Sequence, residues 1–538
     1  MRKAFAICQW TAVMGLFCFF ACERNIDWVP EDPDTNSEYS ENEDDYQWDS
    51  LSATRINLNG ESIEIIGDGA GLSGAQVTVQ QGGTFWLKGT LSNGQIMVQA
   101  SKEDLVKLIF DNVNITCSDN PAIYIEQSGK TILILSEHSN NSIQDGTTHT
   151  TDEANAAIFS KSDMAISGNG KLFIDGNYKD AIVSKDGLII HSGEYHFTAV
   201  DDGIRGKDYL LINDGVFYID TGGDAIKSDN EDEGFGFIQI ENGKFTIESS
   251  GKALKACNLL QIENGDFIIE SIDDALHSDK DLLISKGNFT ITTEDDGFHA
   301  ENILTIAYAD ILIRESYEGI EAKTLTIQDG HIRLTSSDDG LNTVSGAGTM
   351  QFGPPGSGSG DNNLFIEGGT IVVYAGGDGI DINGSVQMTG GTIIVHGPTR
   401  NDNGAIDYDG SYTMNGGLLV AAGSSGMAQI PGSSSTQKSV LVNFASALPA
   451  NTLFNLQDED GKNIVTFRPS KSYQSVALSS PEFVSGATYM IYYNGSTTGT
   501  ETDGLYSEGI YSPGTLYKSF TINSTTTTIG NSGGPGRF

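Results

Sequence analysis

The sequence predicts an all-β protein whose main part is a parallel β-helix, and three observations support this fold class. Glycine is abundant, with 65 residues among 538, and segments with a helical hydrophobic period are almost absent. A motif of two short apolar runs around a turn recurs, mostly at a spacing of 22 residues. Within each copy apolar and polar residues alternate, which is the pattern of strands that bury one face.

The repeat reads apolar-x-apolar, a turn that ends in glycine, then x-apolar-x-apolar. Clear copies are FIQIENGKFTIES, LLQIENGDFIIES and LLISKGNFTITT. One such strand pair cannot bury its own apolar face, so the copies must stack. Stacked in one direction, they form a solenoid with like side chains about 4.8 Å apart. The turn position falls at Gly193, Gly215, Gly243, Gly265, Gly287, Ala309, Gly330, Gly369, Gly391 and Gly417.

The first 22 residues have the layout of an export signal. Arg2 and Lys3 precede an apolar run that ends in Ala21 and Cys22. The ending FFAC resembles a bacterial lipoprotein signal, in which the new N-terminal Cys22 carries the lipid. We therefore expect an exported, membrane-anchored lipoprotein at the cell surface, with a plain secreted protein as the alternative.

The rest of the chain divides by composition and by the repeat. An acidic stretch without apolar periodicity predicts a disordered tether. The region after the last repeat reads as short strands that would cap the final coil. The predicted parts are the signal at 1–22, the tether at 23–52, the β-helix at 53–429 with an N-terminal β cap at about 53–114, the small β-rich region at 430–523, and a flexible tail at 524–538.

The charge balance is strongly acidic, with 72 acidic against 30 basic residues and a formal net charge of −42. Nucleic acid is excluded as a partner, because phosphate binding needs clustered lysine and arginine. An excess of carboxylates predicts cations as ligands.

An acidic residue recurs about nine positions after each turn, and in four coils it is preceded by a second acid. Asp-Gly is ordinary turn chemistry, which explains one acid per coil. Two stacked acids repel one another unless a cation lies between them, and Ca²⁺ prefers carboxylate and carbonyl oxygens. Both interpretations stay open. The candidate metal ligands are Asp201, Asp202, Asp224, Asp273, Asp274, Asp295, Asp296, Asp338 and Asp339.

A second column lies three residues after the ladder acid. The apolar residue between the two columns points inward, so this second column is expected to point outward. It is either a solvated face or a groove for an anionic or hydroxylated chain. The candidate sugar-binding residues are Arg205, Lys227, Lys255, His277 and His299.

Taken together, three parts of the chain resemble a family of secreted bacterial carbohydrate-binding β-helix proteins. These are residues 82–146, beginning GGTFWLKGTLSNG, the DDG and DDA coils, and residues 461–495, beginning GKNIVTFRPSKSY. The resemblance implies a right-handed parallel β-helix similar to pectate lyases, with bound calcium. It also implies binding of acidic plant polysaccharide such as polygalacturonate, without established catalysis. Lys252 and Gly404 depart from the ladder, so no metal is expected at those two coils.

Three functions follow as hypotheses. The first is a cell-surface protein that binds polysaccharide with the help of calcium, acting as a monomer. The second is a calcium-dependent polysaccharide lyase, for which Arg205, Lys227 or Lys255 would be the general base. The third is a surface adhesin or structural rod without sugar specificity, in which the acids serve only the turns.

Overall fold

The computed structural model describes residues 42–344 and 362–530. The chain divides into two compact units, Met1–Glu43 and Asp44–Phe538, and only Asn42 and Glu43 of the first unit are described. The predicted signal, the lipid site at Cys22 and most of the predicted tether lie outside the described residues. Among the described residues no helix is long and apolar enough to span a membrane.

The described chain is almost entirely β-structure, with one short 3₁₀ helix at Glu43–Tyr46. The N-terminal strands are β1 (Thr54–Gly60), β2 (Ser62–Ile66), β3 (Ala70–Ser73), β4 (Gln76–Val79), β5 (Gly83–Leu91), β6 (Gln95–Gln99), β7 (Leu105–Thr116), β8 (Ile123–Gln127) and β9 (Lys130–Leu135).

The next strands build the repeating part. They are β10 (Asn140–Gln144), β11 (Ala156–Ser160), β12 (Met164–Gly168), β13 (Lys171–Gly176), β14 (Asp180–Ser184), β15 (Gly187–Ile190), β16 (Glu194–Ala199), β17 (Ile204–Gly206), β18 (Tyr209–Ile212), β19 (Val216–Thr221), β20 (Ile226–Ser228), β21 (Phe237–Ile240), β22 (Lys244–Ser249), β23 (Leu254–Ala256), β24 (Leu259–Ile262), β25 (Asp266–Ser271), β26 (Leu276–Ser278), β27 (Asp281–Ile284), β28 (Asn288–Thr293), β29 (Phe298–Ile306), β30 (Ala309–Glu315), β31 (Ile320–Ile327), β32 (Gly330–Ser336), β33 (Leu341–Thr343), β34 (Asn363–Ile366), β35 (Thr370–Ala375), β36 (Ile380–Ile382), β37 (Ser385–Met388), β38 (Thr392–His396), β39 (Asp407–Tyr408), β40 (Tyr412–Met414) and β41 (Leu418–Gly423).

The C-terminal strands follow after the last repeat. They are β42 (Ser439–Leu448), β43 (Phe454–Asp458), β44 (Asn463–Phe467), β45 (Tyr473–Ser479), β46 (Thr488–Tyr493), β47 (Ser496–Thr497), β48 (Thr500–Thr502), β49 (Leu505–Ser507), β50 (Tyr511–Ser512), β51 (Thr515–Thr521) and β52 (Thr526–Ile529).

The repeating strands stack into three parallel faces. We call them the long face (β10, β13, β16, β19, β22, β25, β28, β30, β32, β35, β38, β41), the short face (β11, β14, β17, β20, β23, β26, β29, β31, β33, β36, β39) and the third face (β12, β15, β18, β21, β24, β27, β29, β31, β34, β37, β40). The strands β29 and β31 run through a corner and belong to two faces. The prediction of an all-β solenoid is confirmed.

The core is a set of side-chain ladders that run along the solenoid. On the long face Phe217, Phe245, Phe267 and Phe289 stack face to face, with ring centroids 4.6 to 4.8 Å apart. All four rings are almost completely buried. Such ladders arise because each coil places the same residue type at the same register position.

The turn before each long-face strand depends on glycine. At Gly243 the backbone adopts a φ of 143°, which L residues other than glycine avoid. A Cβ atom there would lie 2.8 Å from the ring of Phe245, which packs against the turn. At this turn glycine is therefore required both by the backbone conformation and by the packing of Phe245.

The N-terminal part differs from its prediction in two ways. Parallel pairing begins with β1 and β5, so stacking starts well before the end of the expected cap at residue 114. The end of the expected tether packs on the solenoid, because Lys107 Nζ donates to the carbonyl oxygens of Asp44 and Gln47 at 3.3 and 2.8 Å.

The C-terminal region continues the sheet and adds a second one. The strand β45 pairs antiparallel with β41, the last strand of the long face, and with β42. A second sheet has the order β48-β49-β44-β43-β46-β51. The sequence predicts a flexible tail from residue 524, whereas β52 pairs with β42 and orders residues 526–529.

Candidate functional site

The acidic ladder lies at the corner between the long and the short face. In most coils one carboxylate oxygen of the ladder acid accepts a hydrogen bond from the backbone N–H at the equivalent position of the next coil. The Oδ1 atom of Asp202 accepts from Asp224 N at 2.9 Å, and Oδ1 of Asp274 accepts from Asp296 N at 3.2 Å. Asp180, Asp224, Asp296 and Asp339 repeat this bond toward the following coil.

The two acids of a pair are not equivalent. The second acid, as in Asp202, Asp274 and Asp296, is buried and forms the ladder. The first acid is more accessible: Asp201 and Asp295 are exposed, whereas Asp273 and Asp338 are half-buried. Turn chemistry therefore explains one oxygen of the ladder acid and leaves its second oxygen, Oδ2, for another partner.

The predicted sugar-binding column forms one continuous row on the short face. Arg205, Lys227, Lys255, His277 and His299 are successive register partners. The row continues through Glu321, Asn342, Asp381 and Asp407. The sequence predicts that it faces solvent, but the side chains are half-buried and His277 is only 8% exposed. Lys227, His277 and His299 turn back onto the ladder.

Two lysines neutralise the ladder acids of the first coils. Lys227 Nζ lies 3.1 Å from Asp202 Oδ2 and 2.8 Å from Asp224 Oδ2. Lys252 Nζ lies 2.6 Å from both Asp273 Oδ1 and Asp274 Oδ2. Burial alone would lower the pKa of Lys227, but the two aspartates raise it above its ordinary value. Lys252, which interrupts the acids in sequence, thus supplies the missing counter-charge.

Two histidines do the same in the following coils. His277 Nδ1 lies 2.7 Å from Asp274 Oδ2, and His299 Nδ1 lies 3.1 Å from Asp296 Oδ2. Burial opposes protonation of both rings, but the hydrogen bonds to the aspartates raise the pKa of each histidine. Burial would also raise the pKa of Asp274, yet His277 and Lys252 hold it below its usual range.

The two remaining cations of the row differ from each other. The Arg205 guanidinium is held by Asp229, with Nε at 3.1 Å from Oδ1. Lys255 forms no ion pair or side-chain hydrogen bond with any residue in the described ranges. It is the cation of this row that is left for a ligand.

The later coils carry carboxylates without cations. Asp378, Asp381 and Asp407 each offer an oxygen, and these atoms lie within 4.8 Å of one another. Burial raises the pKa of Asp381 to about 8, and Asp339 and Asp378 add to the rise. Burial likewise raises the pKa of Asp378 to about 7. No lysine, arginine or histidine of the described residues forms an ion pair with these three acids or with Asp339. We call these four residues the carboxylate-only segment.

Asn342 lies next to this segment and has an unsatisfied oxygen. Its Nδ2 donates to Glu318 Oε2 at 2.7 Å and to Glu321 Oε2 at 3.0 Å, on the preceding coil. Its Oδ1 is buried and has no hydrogen-bond partner. Asp381 is the register partner of Asn342 on the following coil. An orphaned buried oxygen beside three carboxylates fits a hard cation.

Other groups of acids fit a cation less well. Asp273, Asp274 and Asp295 lie close enough to hold an ion, but Lys252 already occupies that place. Two groups contain histidine, which suits transition metals rather than calcium. Asp180, Asp201 and Asp202 form an all-carboxylate group, although Lys227 contacts Asp202. Of the sequence-predicted metal ligands, Asp339 alone lies in the carboxylate-only segment.

Sequence reasoning missed Asp378, Asp381 and Asp407 as candidate ligands. Asp407 lies in a longer coil with an inserted segment, so its spacing hides it from the 22-residue repeat. The available signal was the motif Ile-Asp-Tyr-Asp-Gly, which places Asp407 after an inward-pointing Ile406 as Asp381 follows Ile380. Cys22, the predicted lipid site, lies outside the described residues.

Comparison with known proteins identifies related chains. A family described as carbohydrate-binding domain-containing protein matches residues 73–314 and again residues 258–354, together more than half of the chain. A protein of the same description from Acetivibrio thermocellus is 31% identical over 131 residues. That alignment covers 23% of this chain and 46% of the relative, so the chain spans about half the length of that relative.

One solved structure is similar in part. It is described as the polysaccharide lyase-like protein from C. thermocellum, in a gadolinium derivative. It is 26% identical, with a TM-score of 0.42, and the match covers 43% of this chain and 96% of the solved chain. On the family match over more than half of its length, the chain belongs to the carbohydrate-binding domain-containing protein family.

Proposed function

We propose that this protein binds an acidic polysaccharide, such as polygalacturonate, through Ca²⁺ held at the carboxylate-only segment, and does not cleave it. Membership of the carbohydrate-binding domain family supports a glycan as the ligand. The observation that carries the calcium is the set of carboxylates Asp378, Asp381 and Asp407, with no cation partner and with the unsatisfied oxygen of Asn342 beside them.

The residues fit calcium by their donor chemistry. Asp339, Asp378, Asp381, Asp407 and the amide oxygen of Asn342 are all oxygen donors, and Ca²⁺ takes six to eight oxygens from such groups and water. Bound there, Ca²⁺ would neutralise the chain's carboxylates and accept further oxygens from a ligand.

Binding of an acidic glycan to this protein requires bridging cations. The protein carries a formal net charge of −42, so a polyanion is repelled unless cations intervene. Most cations of the short-face row are already neutralised by the chain's own acids, which leaves Lys255 for direct contact. Metal bridging therefore supplies the main attraction, and Lys255 adds to it.

Two of the three candidate general bases are unsuited to a lyase activity, which favours binding without cleavage. A lysine that acts as general base must be neutral at the working pH. The contacts of Lys227 with Asp202 and Asp224 raise its pKa and keep it protonated. The Arg205 guanidinium is also unavailable as a base, because it forms an ion pair with Asp229.

Three further properties belong to this proposal. We infer a right-handed solenoid, because parallel strands joined by a crossover are almost always right-handed. Register partners that lie 22 residues apart, as in Asp202 and Asp224, support coils of that length. We also infer a lipid anchor at Cys22 and a place at the cell surface, which labelled palmitate incorporation that is lost in Cys22→Ser would test.

Titration calorimetry with polygalacturonate tests the function. We expect binding in Ca²⁺ that is lost in EGTA, and loss of this binding in Asp381→Asn while Asp266→Asn, an exposed acid of the long face, binds normally. Absence of binding in Ca²⁺ would contradict the proposal and favour the structural rod. A rise in ultraviolet absorbance during incubation with polygalacturonate would instead indicate a lyase.

A further inference from the structure

The outer surface of the long face carries a column of large apolar side chains. Phe173, His196, Tyr218, Thr246 and Ile268 are successive register partners on β13, β16, β19, β22 and β25. Phe173 is 37% exposed, Tyr218 44% and Ile268 53%. Contiguous exposed apolar groups on a strand face mark a surface for a ligand or partner.

The three aromatic side chains form one stack. His196 lies between Phe173 and Tyr218, with ring centroids 4.5 and 4.6 Å apart and planes inclined by 15° and 17°. One face of the Tyr218 ring is therefore covered by His196. The other face is turned toward the next strand, where the residue in register is Thr246.

The small side chain of Thr246 leaves a slot between Tyr218 and Ile268. These two residues lie two strand spacings apart, about 9.6 Å. Two surfaces at that separation leave room for one saturated ring between them. The slot is part of a shallow cavity of about 440 Å³ that opens along this column. A sugar ring there would continue the aromatic stack.

Carboxylates line one side of the slot. Asp220, Glu248 and Glu270 are register partners in the neighbouring outer column and are exposed. Within the described ranges none of them forms an ion pair or a side-chain hydrogen bond. Carboxylates are strong acceptors for hydroxyl donors, whereas they repel the carboxylates of a uronate. Neither lysine nor arginine lines the cavity to offset that repulsion.

The same outer column is covered at its other end. Val372, Ile394 and Val420 occupy the equivalent positions on β35, β38 and β41 and are at most 3% exposed. They pack in one cluster with Phe454 and Phe467 of the C-terminal sheet. The C-terminal sheet thus buries one end of the apolar column. No described segment covers the stretch from Phe173 to Ile268.

We propose that this slot is a second glycan site, which binds a pyranose ring of an uncharged oligosaccharide between Tyr218 and Ile268. The apolar C–H face of the sugar stacks on the free face of Tyr218. Its hydroxyl groups donate hydrogen bonds to Asp220, Glu248 and Glu270. The site lies on the outer surface of the long face, away from the corner that carries the acidic ladder, and needs no metal, so it goes beyond the calcium-dependent binding of acidic glycan.

Calorimetry of the full chain in EGTA tests the slot, with cellohexaose, xylohexaose and mannohexaose as separate probes. We expect at least one of them to bind. Tyr218→Ala removes the stacking surface and should lower the affinity for that probe by about tenfold or more. Thr246→Tyr fills the slot with a residue that suits a strand and should abolish binding. Tyr308→Ala, at an exposed tyrosine outside this column, is the control and should bind normally.

Two results would overturn the proposal: no binding of any of the three probes by the wild-type protein, or unchanged affinity in either Tyr218→Ala or Thr246→Tyr. Polygalacturonate titrated in Ca²⁺ against the same variants separates this site from the ladder. We expect both variants to bind it as the wild type does. If the wild-type protein binds an uncharged oligosaccharide but not polygalacturonate in Ca²⁺, the calcium proposal is wrong and the slot proposal is not affected.

Discussion

Two stretches of the acidic ladder and its neighbouring row differ in how their buried carboxylates are neutralised. From Asp202 to Asp296 every ladder acid contacts a lysine or histidine of the chain. From Asp339 to Asp407 the acids have no such partner, and burial raises the pKa of Asp378 and Asp381 toward neutrality. The carboxylates of the first stretch are neutralised by lysines and histidines of the chain, whereas those of the second can be neutralised by protons or by a metal ion.

The difference shows that a repeated motif does not repeat its function. The adjacent acids DD are most regular where lysine and histidine already neutralise them. Beyond Asp296 the carboxylates that lack a counter-charge occur where the row changes from basic to acidic residues, at Glu321, Asn342 and Asp381. The residue type in the neighbouring row, rather than the number of acids in the turn, decides which of these carboxylates have a counter-charge from the chain.

Removal of an internal cation should have the largest effect. Lys252→Met leaves the buried Asp274 with His277 as its one counter-charge and should destabilise the protein by about 2 to 3 kcal/mol. The thermal or urea midpoint measures this loss. Lys462→Met, at an exposed ion pair with Glu482, should leave the midpoint unchanged. Equal midpoints for Lys252→Met and the wild type would mean that the two stretches do not differ as described.

The same substitution should act with opposite sign in the two stretches. Asp274→Asn removes a carboxylate that two cations contact and should destabilise by about 2 kcal/mol. In EGTA at pH 8.5, Asp381→Asn removes a buried charge that has no counter-ion and should stabilise by about 1 kcal/mol. Urea unfolding of both variants in one buffer gives the comparison. A loss of stability of similar size in both would indicate that Asp381 has a counter-charge after all.

The pH dependence should separate the stretches further. The folded-state pKa values of Asp381 and Asp378, about 8 and about 7, lie above the value near 3.9 of an unfolded aspartate. Their protonated forms therefore favour the folded state, and this contribution is lost progressively as the pH rises from about 4 through the folded-state values of about 7 and 8. In EGTA the wild type should lose about 1 kcal/mol more than Asp381→Asn between pH 6 and pH 9. Ca²⁺ should remove that difference, because it replaces the protons.

The smallest effect is expected for the exposed first acid of a pair. Asp201→Asn should change neither the melting temperature nor the calcium dependence of polygalacturonate binding, because Asp201 is exposed and Asp202 carries the ladder contacts. Differential scanning fluorimetry with and without Ca²⁺ measures both. A clear loss of the calcium response in Asp201→Asn would indicate that the first acid of the pair is a calcium ligand.

The fold could be predicted because it repeats, and repetition is visible in sequence. The register of the ladder and of the short-face row follows from counting from the turn glycine. The burial of the row could not be predicted from strand alternation, since Lys227 and His277 leave the strand outward and then bend onto the ladder acids. The role of Lys252 could not be predicted either, because in sequence it only interrupts the acidic pattern. Its distances to Asp273 and Asp274 identify it as their counter-charge.

The aromatic column was hidden by its own irregularity. Phe173, His196 and Tyr218 differ in type, so no repeat template includes them, although each occupies the outward position between two core residues. Their importance depends on exposure. The same positions are buried by the C-terminal sheet at Val372 and Ile394, and the sequence contains no signal for where that sheet packs.

The reversed direction of β45 has a consequence for assembly. A solenoid that ended on β41 would offer a parallel strand edge on which another copy could continue the stack. The antiparallel β45 occupies that edge, and the sheet then runs through β42 to β52, a strand of only four residues. On the long face, β45 therefore covers the parallel edge to which another copy could add, and in the described chain this sheet ends at the short β52.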